Sequence, residues 1–246
     1  MANAPVTLYC LPCAGASATM YMRWRRLLPE WVRVEPLELP GRGVRLTEDP
    51  QRDYAQLVAF LVRDFSPSGP YAFFGHSMGA LLAYGMTREI LRAGCAAPVS
   101  LLLSGSAAPT CQDKARYANR DNKTSLVEDM RRQGGTPDAV FENEELLDMT
   151  VALLAADYSV CASFACEAAE PLPMPIHVFG GNGDEIRAPR ILAWGEAGSA
   201  GFTADWFEGG HFFLRQQEGA FLAVLARRLG EDCAGREAGG APRAVA

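Results

Sequence analysis

The sequence predicts a mainly parallel, doubly wound α/β sheet with an inserted helical lid. Three observations lead there. Short apolar, β-rich runs alternate with helical patterns; one of those runs ends in a glycine-flanked serine followed at once by helix; and residues from about 110 to 170 break the rhythm with charged helical segments.

The strand-like runs are 6–11, 32–37, 71–74, 99–103, 176–179 and 202–207, and the helices between them read as 20–28, 54–65, 80–93 and 220–229. Within the irregular stretch, a helix around 125–133 ends at Gly134-Gly135, and Thr136-Pro137 reads as a cap and first turn. Leu147, Val151, Leu154 and Tyr158 then share one helical face. An insertion of this kind between two strands is placed to cover a site at the sheet's edge; extra packing helices are the plainer alternative. Residues 1–231 are therefore expected to form one domain with a lid at about 110–170, and the Ala/Gly-rich 232–246 a disordered tail.

With 246 residues, 49% of them apolar and 21% charged, one domain with a large core is the expectation. A net charge of −6 disfavours general affinity for nucleic acid or anionic membrane, because a negative field repels phosphate. The N-terminus lacks a basic stretch followed by an apolar core, and no run has the length to span a bilayer, so a soluble, cytoplasmic protein is expected. Seven scattered cysteines, an odd number, fit reduced thiols better than a disulfide framework. A monomer is the default.

Gly75-His76-Ser77-Met78-Gly79, after an apolar run and before a helix, has the order of a nucleophile elbow. A serine hydroxyl needs a histidine base, and that base needs a carboxylate to orient it. Of the three histidines, His76 lies inside the elbow and reads as turn packing, while His177 lies within a strand and reads as a hydrogen-bonded core residue. His211 stands on a Gly209-Gly210 loop after the last strand, where a base belongs. Asp184 leaves the preceding strand and is the first choice as acid, with Glu185 an adjacent competitor. The order serine, acid, histidine is that of α/β-hydrolases.

An oxyanion hole requires two N–H donors. Met78 N–H, directly after the serine, is one, and the small-residue loop Leu11-Pro12-Cys13-Ala14-Gly15-Ala16-Ser17 supplies the other, at Ala14 or at its neighbours Cys13 and Gly15. The Cys10-x-x-Cys13 spacing has no second cysteine pair to complete a metal site and reads as structural, although Cys13 is an oxidisable thiol if it reaches the pocket. Pro40-Gly41-Arg42-Gly43 is too short for a phosphate loop, lacks its lysine and hydroxyl, and reads as a turn near the site. Arg23, Arg25 and Arg26 are a basic cluster that reads equally as a solvated helix face or a docking patch for an acidic partner. No metal or cofactor is expected.

Taken together, Leu11 to Ala18, Leu39-Pro40-Gly41-Arg42-Gly43-Val44-Arg45-Leu46, Gly75 to Gly79, Gly134-Gly135-Thr136-Pro137, Ala155-Ala156-Asp157-Tyr158, Gly180-Gly181 and Gly209-Gly210-His211-Phe212-Phe213-Leu214 resemble the type II thioesterases of polyketide and nonribosomal peptide assembly lines. The resemblance covers most of the chain. It implies an α/β-hydrolase fold, Ser77, Asp184 and His211 as the triad, and a lid that includes 130–158. It also implies an acyl thioester on the phosphopantetheine arm of a carrier domain as substrate, and the clearing of stalled or mis-primed acyl groups as the task. Cys13 and Ala16 depart from the family's early loop, where an aromatic or histidine and a second glycine usually stand. A small-molecule carboxylesterase, an acyltransferase on the same triad, and a non-catalytic binding module are the competing readings.

Overall fold

The computed structural model describes residues 5–117, 122–166 and 169–239. The described residues form a six-stranded parallel sheet of order β2-β1-β3-β4-β5-β6, built from β1 Val6–Leu11, β2 Val32–Pro36, β3 Tyr71–His76, β4 Leu101–Ser104, β5 Ile176–Gly181 and β6 Phe202–Phe207. The helices are α1 Trp24–Leu27, α2 Tyr54–Arg63, α3 Met78–Arg92, α4 Lys123–Gln133, α5 Asp138–Phe141, α6 Glu144–Ser163, α7 Ala188–Leu192, α8 Phe213–Gln216 and α9 Glu218–Gly239.

The period-two alternation of strand side chains sends two apolar sets to opposite faces. Leu11, Phe73, Leu101, Leu103, Ile176 and Val178 pack with α3 on one face. Leu8, Cys10, Phe74, Leu102 and Phe179 pack with Trp24, Phe221 and Leu225 on the other. The inner strands β3, β4 and β5 are buried throughout, as a strand covered on both sides must be. β2 and β6, at the sheet's edges, carry the more exposed residues.

The bounds expected for β1 and β6 coincide with the strands formed, but three expectations are corrected. The segment 20–28 is not one helix: Ser17 caps a single 3-10 turn at Ala18–Tyr21, a break follows, and α1 is one turn long before Pro29. Thr136-Pro137 leads only into the one-turn α5, and the long helix α6 has its own cap, Asn143 accepting from Leu146 N. The tail predicted from 232 is helix as far as Gly239, because Cys233 is buried in the core and Asp232 hydrogen-bonds His177 Nε2 at 2.7 Å. Residues 240–246 lie outside the described residues.

The predicted lid region holds α4, α5 and α6, whose Leu126, Met130, Val151, Leu154 and Tyr158 form a third cluster of their own. α6 also revises the expectation about apolar length: by length and composition it is long and apolar enough to cross a membrane. In this fold it packs on the α4 and α2 helices, and its buried Asp157 carries an ion pair.

Candidate active site

The strand order reverses direction between β1 and β3, and the crevice at such a reversal, outside the strands' C-terminal ends, is where open α/β sheets bind ligands. The loops leaving those two strands are the ones that carry the candidate serine and oxyanion donors. Leu11 pairs with Gly75 across the ladder, which brings the loops together at one level.

Ser77 has φ 55° and ψ −115°, and it is the one non-glycine with positive φ among the described residues. Such a backbone costs of order 1–3 kcal/mol and holds only where its surroundings over-determine it. The flanking glycines make that possible. A Cβ on Gly75 would lie 2.1 Å from Gly79 O, and one on Gly79 would lie 2.2 Å from Leu11 O. The turn is therefore closed tightly enough to press the start of α3 against the end of β1. Met78 N–H opens α3 and shares with Ser77 the lining of one cavity.

In the loop after β1, Gly15 N donates to Asp157 Oδ2 at 2.7 Å and Ala16 N to Cys13 O at 3.1 Å. Gly15 N–H is thereby spent and Cys13 N–H lies against its own thiol, which leaves Ala14 N–H of the alternatives that the sequence left open. Ala14 lines the same cavity as Ser77 and His211.

His211 and Asp184 meet as expected: Nδ1 lies 2.8 Å from Asp184 Oδ2, and both side chains are buried. Asp184 is fixed in turn by Ile186 N donating to its Oδ1 at 3.1 Å. Burial pushes the Asp184 carboxyl up, but the hydrogen bond and charge of His211, the Ile186 N–H and Arg116 outweigh it and hold the group below the ordinary carboxylate range. Glu185 points elsewhere, half-exposed, to Arg132 at 2.8 Å. With Nδ1 engaged, His211 keeps Nε2 for the cavity that it shares with Ser77.

The other two histidines differ from the base. His177 bridges Thr203 Oγ1 and Asp232 Oδ2, both at 2.7 Å, as a hydrogen-bonded core residue. His76 is fully buried, as a turn-packing residue would be, but it packs against His211 itself: its ring lies 4.9 Å from that of His211, with Nδ1 at 3.0 Å from Ser104 Oγ. Burial first, then the His211 and Arg215 charges, push its pKa well below the ordinary histidine value, so a neutral ring backs His211.

One pair near the site is not evident from the sequence. Arg42 binds Asp157 through two 2.7 Å hydrogen bonds and also donates to Ala16 O at 3.0 Å, with both side chains almost wholly buried. This pair fastens the loop after β2 and the loop after β1 to α6. The single signal for it is an aspartate in the apolar run 150–161, which a core helix tolerates only with a partner.

The Cys13 thiol is buried, and burial pushes its pKa up to about 11, which leaves it protonated and poorly nucleophilic at neutral pH. Cys10, Cys13 and the other five cysteines form no disulfide. Arg23 and Arg25 of the basic cluster are held by Glu218 and Glu35. Among the described residues no group of three or more His, Cys, Asp or Glu side chains is arranged to hold a metal ion.

The cavities at the serine are narrow. One of about 20 Å³ lies between Ser77, His211 and the lid's Tyr158; it adjoins one of about 60 Å³ that reaches Arg215 and Thr150, and a third of about 30 Å³ lies on the β4 side. Since about 10–15 Å³ admits one water, each of these spaces holds only a few waters.

Comparison with known proteins finds a family match, curated relatives and similar solved structures. The thioesterase domain family matches residues 6–229. The gramicidin S biosynthesis protein GrsT of Aneurinibacillus migulanus is 31% identical, over 92% of this chain and 90% of its own. Among solved structures, RedJ, a thioesterase from the prodiginine biosynthetic pathway of Streptomyces coelicolor, superposes with a TM-score of 0.85 at 33% identity, covering 91% of this chain and 90% of its own. BorB, a type II thioesterase from the borrelidin biosynthetic cluster, gives 0.81 at 33% identity, covering 93% and 95%.

Proposed function

The chain belongs to the thioesterase family, and from that premise we propose that it is a stand-alone type II thioesterase that hydrolyses acyl thioesters from the phosphopantetheine arm of polyketide or nonribosomal peptide carrier domains. The observation that carries the reading is the strained Ser77 at the sheet's reversal point, sharing one cavity with a His211 whose Nδ1 is held by Asp184 at 2.8 Å.

In this reading Ser77 Oγ attacks the thioester carbonyl while His211 Nε2 takes its proton. Asp184, kept ionised, stabilises the imidazolium that forms. The carbonyl oxygen gains negative charge and is met by the N–H groups of Met78 and Ala14; one such donor is typically worth about 10²–10³ in rate. His211 then protonates the departing pantetheine sulfur, a good leaving group because a thiol has a pKa near 8.5. Water, activated by the same histidine, attacks the acyl-serine ester and releases the acid. The narrow cavities require α4–α6 to move for an acyl chain to enter, and a lid that closes again would keep the ester in place until water reaches it.

The test is intact-protein mass spectrometry of carrier proteins loaded with acetyl or longer acyl groups, with the same acyl groups offered in parallel as oxygen esters. Chain release from the carrier by wild type, reduced ~10⁴-fold or more in Ser77→Ala and His211→Ala and somewhat less in Asp184→Asn, is the expected outcome. Untouched carriers with rapid ester cleavage would make it a carboxylesterase. Transfer of the acyl group to an added thiol or alcohol in preference to water would make it an acyltransferase.

A further inference from the structure

The ring of His211 has one hydrogen bond among the described residues, from Nδ1 to Asp184 Oδ2 at 2.8 Å. The χ2 torsion of a histidine is broad and roughly two-fold, so a single bond restrains ring rotation only loosely. Phe212 packs edge-on to the ring at 5.4 Å, but it travels on the same loop. A firm stop has to come from another element.

His76 is placed to be that stop. It ends β3 directly before Ser77, in register with Ser104 at the end of β4. Its ring lies 4.9 Å from that of His211, tilted by 41°, and 5.4 Å from that of Phe212. Its own rotation is fixed by the 3.0 Å hydrogen bond between Nδ1 and Ser104 Oγ. Gly105 closes the space beside both rings: a Cβ there would fall 2.6 Å from His76 Cε1 and 3.3 Å from His211 Cε1. The buried His76 Nε2 has no hydrogen-bond partner among the described residues, a cost that a phenyl ring in the same place would avoid. What the imidazole adds over a phenyl is the bond to Ser104. Burial keeps His76 neutral, so it can lie against a base that takes up a proton.

We propose that His76, fixed by Ser104, is a positioning residue that sets the angle of the His211 ring toward Ser77 Oγ. The inference rests on the triad of the proposed function and extends it by two strand-end residues. Both are fully buried and act through His211.

The experiment compares wild type with His76→Phe, which keeps a ring of similar size, with Ser104→Ala, which removes one hydroxyl and leaves the Ser77 N to Ser104 O bond in place, and with the double variant. One readout is kcat and KM on an acyl-pantetheine thioester. The other is the rate of Ser77 labelling by a fluorophosphonate, whose phosphorus takes the serine oxygen and releases fluoride while His211 takes the proton, with no thioester needed. Each single variant is expected to lose about tenfold in kcat and in labelling rate with KM within about twofold, and the double variant to lose no more than the worse single, since both act through one contact. The downfield NMR signal of the His211 Nδ1 proton should broaden in all three. Should His76→Phe fail to fold, Ser104→Ala alone decides.

A wild-type labelling rate in Ser104→Ala, losses that add in the double variant, or a fall in Tm with no change in rate overturns the proposal and leaves the triad standing. A wild type that resists the fluorophosphonate removes the triad and the proposal with it. A wild type that is labelled but inert toward thioesters removes the thioesterase reading alone, and the labelling rates still decide the role of His76.

Discussion

Asp184 owes its ionised state to its neighbours and not to solvent, and this links the candidate site to folding. Its folded pKa is lowered, so the native state favours the carboxylate more than the unfolded chain does. The stabilisation is present in full above the unfolded value of about 3.9 and is lost as pH falls through the lower folded value. Asp184→Asn should therefore be less stable than wild type in urea at pH 7, with the gap narrowing below about pH 4. A gap constant down to pH 3 would contradict the assignment. The neutral state of His76 follows the same logic with the opposite sign: burial disfavours its charged form, so the ring that backs His211 adds no competing positive charge at working pH.

At the scale of elements, the Arg42–Asp157 pair couples parts that are 115 residues apart in sequence. Removing one partner leaves a buried charge uncompensated, so Arg42→Ala or Asp157→Ala should each cost about 3–5 kcal/mol in urea unfolding. Replacing both, as Arg42→Met with Asp157→Leu, should recover much of that stability. It should still lower kcat, because Gly15 N–H and Ala16 O lose the groups that hold the oxyanion loop. Full activity in the double variant would show that the pair serves folding alone. This coupling is invisible to periodicity, since Arg42 sits in a turn and Asp157 on a helix with no shared repeat. The strands are legible because apolar β-branched and aromatic runs such as Val6–Leu11 and Phe202–Phe207 admit few other readings. The segment 20–28 is not, since apolar residues at helical spacing there bury Tyr21 and Trp24 equally well from two single turns.

For the whole molecule, the candidate serine, acid and base are readable because each leaves the C-terminal end of a strand at a glycine-marked loop, and strand order in space follows from the parallel rule. The far end of α9 is not, because Ala and Gly composition says nothing about a distant partner. That partner is His177, early in β5, which Asp232 holds. Asp232→Ala should leave the buried His177 Nε2 unsatisfied and cost about 1–3 kcal/mol, at roughly 2–4 °C in Tm for each kcal/mol. Turnover at 25 °C should be unchanged, since the proposed triad lies at the other end of the strands; a matching loss of kcat would mean that the sheet transmits the defect.

The His177–Asp232 contact also gives the molecule a front and a back. α9 starts beside the loop that bears His211 and runs the depth of the sheet, so its last turns emerge on the rim opposite the serine. A tether, dye or bulky fusion attached to those turns would hold the protein from behind, with the proposed nucleophile turned toward whatever large partner is brought to it.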